Sequence, residues 1–210
     1  MCEVKLENIT HGFNKRKLLI NCSYNFEKGK KYLIKGESGI GKTTILNLIC
    51  GYIQPQEGRV KILENKIMEY MFQDDMLFQN LSILQNIELK IGALKEKNID
   101  VESYKISEYL KKVGLEEMKH EKIALLSGGE RQRVQIVNSL LSNPDIILLD
   151  EPTSRLDEKN KKKIMELIDK CFKDKTLIVV SHDNIEKYMK CEVLAIEGGK
   201  LKYEKTTQFI

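Results

Sequence analysis

Hydrophobic and polar positions alternate through Glu3 to Ile9, with Val4, Leu6 and Ile9 nearly in phase, and again from Lys17 to Phe26. Alternation of period two predicts strands with one buried face, here an antiparallel region at the start of the chain. Phe13 lies between the two in a loop-like His11-Gly-Phe-Asn14, a place where an aromatic more often joins the core. Tyr32-Leu33-Ile34 is a short continuous apolar run and reads as a buried strand. Ile45, Leu46, Leu48 and Ile49 then fall at helical spacing and end at Gly51, a helix-closing glycine. Gln54-Pro-Gln-Glu-Gly58 predicts a turn, Arg59 to Leu63 a strand, and Tyr70-Met-Phe-Gln73 another short strand.

From about Asp74 to Leu125 the pattern becomes helical. Ser82 is placed to cap a helix over Ile83 to Lys90. Asp100 is placed to cap a second, in which Ile106, Tyr109, Leu110 and Val113 form one stripe closed by Gly114. Strand signals return at Ile146 to Leu149, Leu177 to Val180 and Val193 to Ile196. Between the first two lies a helix with Ile164, Leu167, Ile168 and Cys171 on one face. Strand–helix–strand alternation predicts an α/β fold with a parallel sheet, interrupted by a helical insertion. There is no internal repeat and no low-complexity tract.

At 210 residues the chain has room for one domain with a sizeable core. The formal charge of +4 comes from scattered lysines such as Lys159 and Lys161-Lys162-Lys163. These read as solvated helix faces, so no nucleic-acid partner is expected. Cys2, Cys22, Cys50, Cys171 and Cys191 show no metal-ligand spacing, and the expectation is free thiols in a reducing cytosol. No apolar run approaches the roughly 20 residues of a membrane span. Glu3 and Lys5 argue against a signal peptide. Any membrane role is therefore expected to come through a partner.

Chemistry concentrates in three stretches. Gly36-Glu37-Ser38-Gly39-Ile40-Gly41-Lys42-Thr43 matches the phosphate-binding P-loop pattern, between a predicted strand and a predicted helix. Its glycines allow positive φ and let backbone N–H groups close on phosphate oxygens, and the helix N-terminus adds positive partial charge. Lys42 is expected to reach the β/γ-phosphates and Thr43 to ligate Mg²⁺. Ile146-Ile-Leu-Leu-Asp150-Glu151 is a buried strand ending in two acids. A pair that merely caps a helix is an equal reading of that run alone. After a P-loop, Asp150 reads as holding Mg²⁺, directly or through water, and Glu151 as taking a proton from an attacking water. Ser127-Gly128-Gly129-Glu130 opens a helix carrying Val134, Val137 and Leu141, and makes a second anion-binding helix end without a lysine.

These motifs, in this order, resemble the nucleotide-binding subunit of ATP-binding-cassette (ABC) transporters over essentially the whole length. The resemblance implies a P-loop NTPase core at 1–73 and 143–210 with an N-terminal antiparallel β region, and a helical signature subdomain at 74–142. It places Phe13 against adenine and extends the P-loop to Thr44. It makes Gln73 the loop glutamine that senses Mg²⁺, water and the membrane subunit, and Leu126 to Gln132 the signature. Ser154 to Asp157 becomes the D-loop and His182 a contact to the γ-phosphate. His11 and His120 match no motif and read as surface residues. The implied assembly is a head-to-tail dimer of two copies sandwiching two ATP molecules, each between one P-loop and the partner's Ser127 to Glu130. That dimer would sit on an integral-membrane permease at the cytoplasmic face of the cell membrane. Export-type cassettes for peptides, bacteriocins or lipoproteins are the nearest expectation. An ABC ATPase of cell-division signalling or iron–sulfur assembly is the alternative. Three departures stand out: Arg155 where the family usually has alanine, a short Gly58-to-Phe72 segment with room for fewer antiparallel strands or turns, and a short tail after Ile196.

Overall fold

The computed structural model describes residues 1–14 and 16–204. The first two alternating runs form β1 (Cys2–Phe13) and β2 (Arg16–Glu27), antiparallel with Leu6 opposite Tyr24 and Phe13 opposite Arg16. Val4, Leu6 and Ile9 of β1 and Leu19, Cys22 and Phe26 of β2 are buried, as the alternation requires. Phe13 is the last residue of β1 rather than part of a loop, and at 52% exposure it is not a core residue. His11, expected at the surface, is buried instead, with the edge of its ring against Phe13 at 5.0 Å between centroids. His120 is exposed, as expected.

The P-loop strand is β3 (Lys31–Lys35) and the helix after it α1 (Lys42–Ile49), with Gly51 in the left-handed region at φ 77°. β4 (Glu57–Ile62) pairs with the free edge of β1, giving a three-stranded antiparallel sheet of order β2-β1-β4. β5 (Met68–Met71) follows after residues 63–67, so the short Gly58-to-Phe72 segment holds one strand of each sheet and a single turn between them.

In the helical stretch α2 (Ile83–Glu96) runs past the expected Lys90. Ser82 and Gln85 cap it reciprocally, each side chain taking the other's backbone N–H. α3 (Ser103–Val113) closes at Gly114 as predicted, but its N-cap position is Glu102, not Asp100. Ile99 and Val101 on either side of Asp100 pack against the core, which holds the chain extended there and delays the helix. α4 (Gly128–Leu141) is the signature helix.

The remaining strands are β6 (Ile146–Asp150), β7 (Thr176–Val180), β8 (Glu192–Glu197) and β9 (Lys200–Tyr203), with α5 (Glu158–Cys171) between β6 and β7. On α5 the buried residues are Ile164, Met165 and Ile168. Leu167 and Cys171 of the predicted stripe are only partly covered, because the face is rotated toward Met165. Lys161 is not a free solvated lysine. It pairs with Asp183 at 2.7 Å and Glu158 at 3.4 Å. The unpredicted β9 returns antiparallel from β8 through Gly198 and Gly199, both at positive φ, the conformation a two-residue hairpin turn needs.

The main sheet has the order β5-β6-β7-β3-β8-β9, parallel up to β8. Both faces are covered, so its inner strands are apolar throughout. Leu33, Ile147, Leu149, Leu177 and Val179 face one core with α2 to α5. Ile34, Ile146, Leu148, Ile178 and Val180 face the other, with α1 and the antiparallel sheet. Register decides what meets at the sheet's carboxyl edge. Val180 lies opposite both Ile34 of β3 and Asp150 of β6, so the P-loop, the two acids and Ser181-His182 all emerge at one level. Among the described residues no helix is long and apolar enough to cross a membrane.

Candidate functional site

The P-loop leaves β3 with Gly36, Gly39 and Gly41 at φ 148°, 75° and 115°. Gly41, the left-handed residue capping α1, gives no side-chain cap, and a Cβ there would come within 3.3 Å of Leu18. The first N–H groups of α1 are therefore not taken up by a cap side chain. Lys42, 7% exposed, curls over the loop and donates to the carbonyls of Gly36 at 2.7 Å and Glu37 at 3.1 Å. Its ammonium also lies 3.8 Å from Glu151 Oε1.

The two acids are held differently. Asp150 is buried at the end of β6. Its Oδ1 accepts from the Thr43 hydroxyl at 3.1 Å and its Oδ2 from the Tyr70 hydroxyl at 3.2 Å. Burial pushes its carboxyl up from the usual range, against the two hydroxyls, which favour the ionised form. Glu151 adopts φ 47°, a left-handed conformation that costs a non-glycine residue roughly 1–3 kcal/mol. A web of contacts fixes it there. Its N–H donates to the Val180 carbonyl at 2.9 Å. Its Oε2 accepts from Ser181 Oγ at 3.2 Å, His182 N–H at 3.3 Å and His182 Nδ1 at 2.9 Å. Since a carboxylate only accepts, the proton on that side of the imidazole sits on Nδ1.

Six P-loop residues (Ser38, Gly39, Gly41, Lys42, Thr43 and Thr44) and three residues distant in sequence (Gln73, Glu151 and His182) line one cleft of about 470 Å³. Gly36, Glu37, Ile40 and Asp150 are not among its lining residues. Phe13 does not line it either, although Leu18 from the neighbouring strand does. Ser127, Gly129 and Glu130 line a different cleft of about 390 Å³, together with Arg133, Asn160 and Lys163. There the helix end is closed on itself. Ser127 N–H and Oγ donate to Glu130 Oε2 at 2.8 and 2.7 Å, and Glu130 N–H reaches Ser127 Oγ at 3.4 Å. Those bonds hold the Glu130 carboxyl below the usual range. Gly128 packs toward the D-loop, where a Cβ would meet Leu156 at 3.6 Å. Arg155 of that loop pairs with Asp74, the residue after Gln73.

Sequence reasoning missed Tyr70, Ser181 and Leu18. Ser181 adjoins His182 and was within reach of the motif, whereas the parts of Tyr70 and Leu18 depend on cross-strand neighbours. The oxygen-only pair of Thr43 and Asp150 suits a hard cation. Among the described residues no group of three or more His, Cys, Asp or Glu side chains is placed to hold a metal. That is the donor set Mg²⁺ uses when substrate phosphates supply further ligands.

A phosphate cradle on the first strand–helix turn, facing two acids at the end of a non-adjacent parallel strand, defines a P-loop nucleotide hydrolase. The model of the family described as ABC transporter matches residues 19–154. The phosphonates import ATP-binding protein PhnC of Fusobacterium nucleatum is 32% identical over 96% of this chain and 92% of its own. The spermidine/putrescine import ATP-binding protein PotA of the same organism is also 32% identical, over 95% of this chain and 56% of its own. A dimeric ATP-binding cassette solved in a post-hydrolysis state with ADP and Pi is 31% identical, covers 96% of this chain and 97% of its own, and superposes with a TM-score of 0.78. The chain belongs to the ABC transporter family, as an ATP-binding subunit. It is an ABC ATPase, binding ATP with Mg²⁺ and hydrolysing it.

Proposed function

We propose that this subunit powers uptake through a separate integral-membrane permease. It works as an ATP-dependent head-to-tail dimer of two copies on the cytoplasmic face of the cell membrane. The observation that carries this reading is the separation of the two anion-binding helix ends, since the cleft around Lys42 has no lining residue from Ser127, Gly128, Gly129 or Glu130. A site that uses both ends is then completed by a second copy, and the dimeric relative holding ADP and Pi supports this. PhnC and PotA are both named as import proteins, which favours uptake over the export expected from the sequence.

The nucleotide cradle belongs to 1–73 and 143–210 and the signature to 74–142. Lys42 and the amides from Gly36 to Thr44 hold the β- and γ-phosphates, and Phe13, half exposed at the end of β1, stacks on adenine. Thr43 and Asp150, aided by Gln73, would hold Mg²⁺, which neutralises phosphate charge when bound. Glu151 keeps Oε2 engaged with Ser181 and His182, leaving Oε1 to take the proton of the attacking water. His182 donates to Glu151 through Nδ1, and that bond holds its ring at the cleft as the γ-phosphate contact. The permease contacts the segment after Gln73. There Met76, Phe78 and Leu89 are exposed at 75%, 62% and 49% along an apolar groove of about 370 Å³.

Two measurements test this. The Glu151→Gln chain should shift to dimer on gel filtration with ATP, and a chain that stays monomeric at saturating ATP overturns the shared site. In proteoliposomes holding the permease, with subunit and ATP outside, an importer depletes substrate from the lumen. Accumulation in the lumen overturns uptake.

A further inference from the structure

Tyr70 stands in β5, opposite Leu148 of β6, and so two positions short of Asp150 on the neighbouring strand. Its hydroxyl lies 3.2 Å from Asp150 Oδ2 and 3.1 Å from Asn47 Oδ1 on α1. A phenol has one proton and cannot donate fully to both. The carboxylate, carrying charge, is the stronger acceptor. Turning over the Asn47 amide, which exchanges two groups of nearly equal size, lets its N–H₂ donate to the Tyr70 oxygen. With the amide so turned, donation runs one way, from Asn47 through Tyr70 to Asp150. Asp150 is thereby gripped at both oxygens, Oδ2 by Tyr70 and Oδ1 by Thr43 at 3.1 Å. The Tyr70 ring in turn stacks on Phe72, with centroids 4.1 Å apart and planes at 23°, immediately before Gln73.

We propose that Tyr70 is a positioning residue of the Mg²⁺–ATP site, turning the Asp150 carboxylate so that Oδ1 faces the metal position beside Thr43. This rests on the reading that Thr43 and Asp150 hold Mg²⁺. An oxygen left without its partner lets the carboxylate rotate about its terminal torsion, and the donor set loses its preset geometry. The stack on Phe72 also ties that geometry to the start of the segment carrying Gln73, so a shift of that segment reaches the metal ligand through one side chain.

The test uses Mn²⁺ as the probe and the full chain carrying Glu151→Gln, so that ATP persists. Bound Mn²⁺ is read by electron paramagnetic resonance, and ATP affinity in EDTA by calorimetry. Tyr70→Phe keeps the ring and its stack and deletes only the hydroxyl. It should weaken Mn²⁺ binding to the ATP complex about tenfold, the lower end for loss of a partner behind a metal ligand, because phosphates share the metal. ATP affinity in EDTA should stay at the parent value. Asn47→Ala, which removes the outer member of the chain, should weaken Mn²⁺ binding less than Tyr70→Phe. Mn²⁺ affinity within about twofold of the parent in Tyr70→Phe overturns the proposal. An equal loss of ATP affinity in EDTA overturns it too, since that marks general damage to the cleft. Asp150→Asn separates this from the reading beneath it. If Asp150→Asn binds Mn²⁺ like the parent, the assignment of Asp150 to the metal fails. If it loses Mn²⁺ while Tyr70→Phe does not, only the role of Tyr70 fails.

Discussion

Two glycine-rich turns in this chain open into helices, and they are finished in opposite ways. At α1 the N-cap is Gly41, which offers no side-chain acceptor, and a buried lysine lies across the loop on the carbonyls of Gly36 and Glu37. At α4 the N-cap is Ser127, locked with Glu130 in a reciprocal capping box, and no lysine is part of the turn itself. Both helix ends attract anions through the same unpaired N–H groups and dipole. Only at the first do two acids from the end of β6 converge with the buried Lys42, steadied by Ser181 and His182 at the end of β7. The second is closed by hydrogen bonds within its own first turn. Phosphate binding by a helix end is thus generic, and what makes one of the two a hydrolytic site is the sheet edge beneath it.

If that difference is real, damage to the two ends should separate hydrolysis, assembly and binding. The largest effect should come from Glu151→Gln, with turnover down about 10²–10⁴-fold and ATP affinity retained, since general-base catalysis supplies that range. Steady-state phosphate release beside equilibrium ATP binding checks it, and near-parental turnover would assign the proton to another group. Ser127→Arg should abolish the ATP-dependent dimer and the turnover that depends on it. Its monomer should still bind ATP like the parent, because the α1 end is untouched. Lost monomer affinity with dimers intact would put Ser127 in its own copy's site and end the contrast.

Lys42→Ala should weaken ATP binding by about 10–100-fold, the worth of one hydrogen bond to a charged group. Unchanged affinity would mean the backbone of the turn suffices, as it does at α4. The smallest effect should be that of Glu130→Ala, a loss of about 1 kcal/mol in unfolding free energy from the broken cap, with ATP affinity of the monomer unchanged. The carboxyl of Glu130 is lowered by folding, so its contribution is fully present above the unfolded glutamate value of about 4.3 and fades as pH falls through the folded one. Denaturant melts of parent and variant should therefore converge in acid, and a difference that persists there would take the charge out of the cap.

Much of this was readable in the sequence because it is local. The P-loop is built by contiguous residues whose glycines, lysine and threonine carry its geometry. Ser82 and Ser127 announce helices whose caps close within three residues. The misreadings share one cause. Asp100 is a sound cap by type, yet Ile99 and Val101 are pulled onto the core and the helix starts later. His11 is polar by type, yet β1 turns it inward. The α5 stripe was read by spacing alone, and packing rotated it onto Met165.

By itself the sequence determined that a phosphate-binding turn follows a buried strand, that two acids end another, and that a second glycine-rich turn opens a capped helix. Each depends on neighbours along the chain, through φ, helical period and hydrogen bonds a few residues long. Only the tertiary structure decided that β7 lies between β3 and β6, so that Val180 sits level with both Ile34 and Asp150. That register brings Lys42, Glu151 and His182 into one cleft, sends Tyr70 to Asp150, and leaves Ser127 facing elsewhere. Strand order and register follow from how two apolar faces are covered at once. That is a property of the whole packed sheet, and no local pattern carries it.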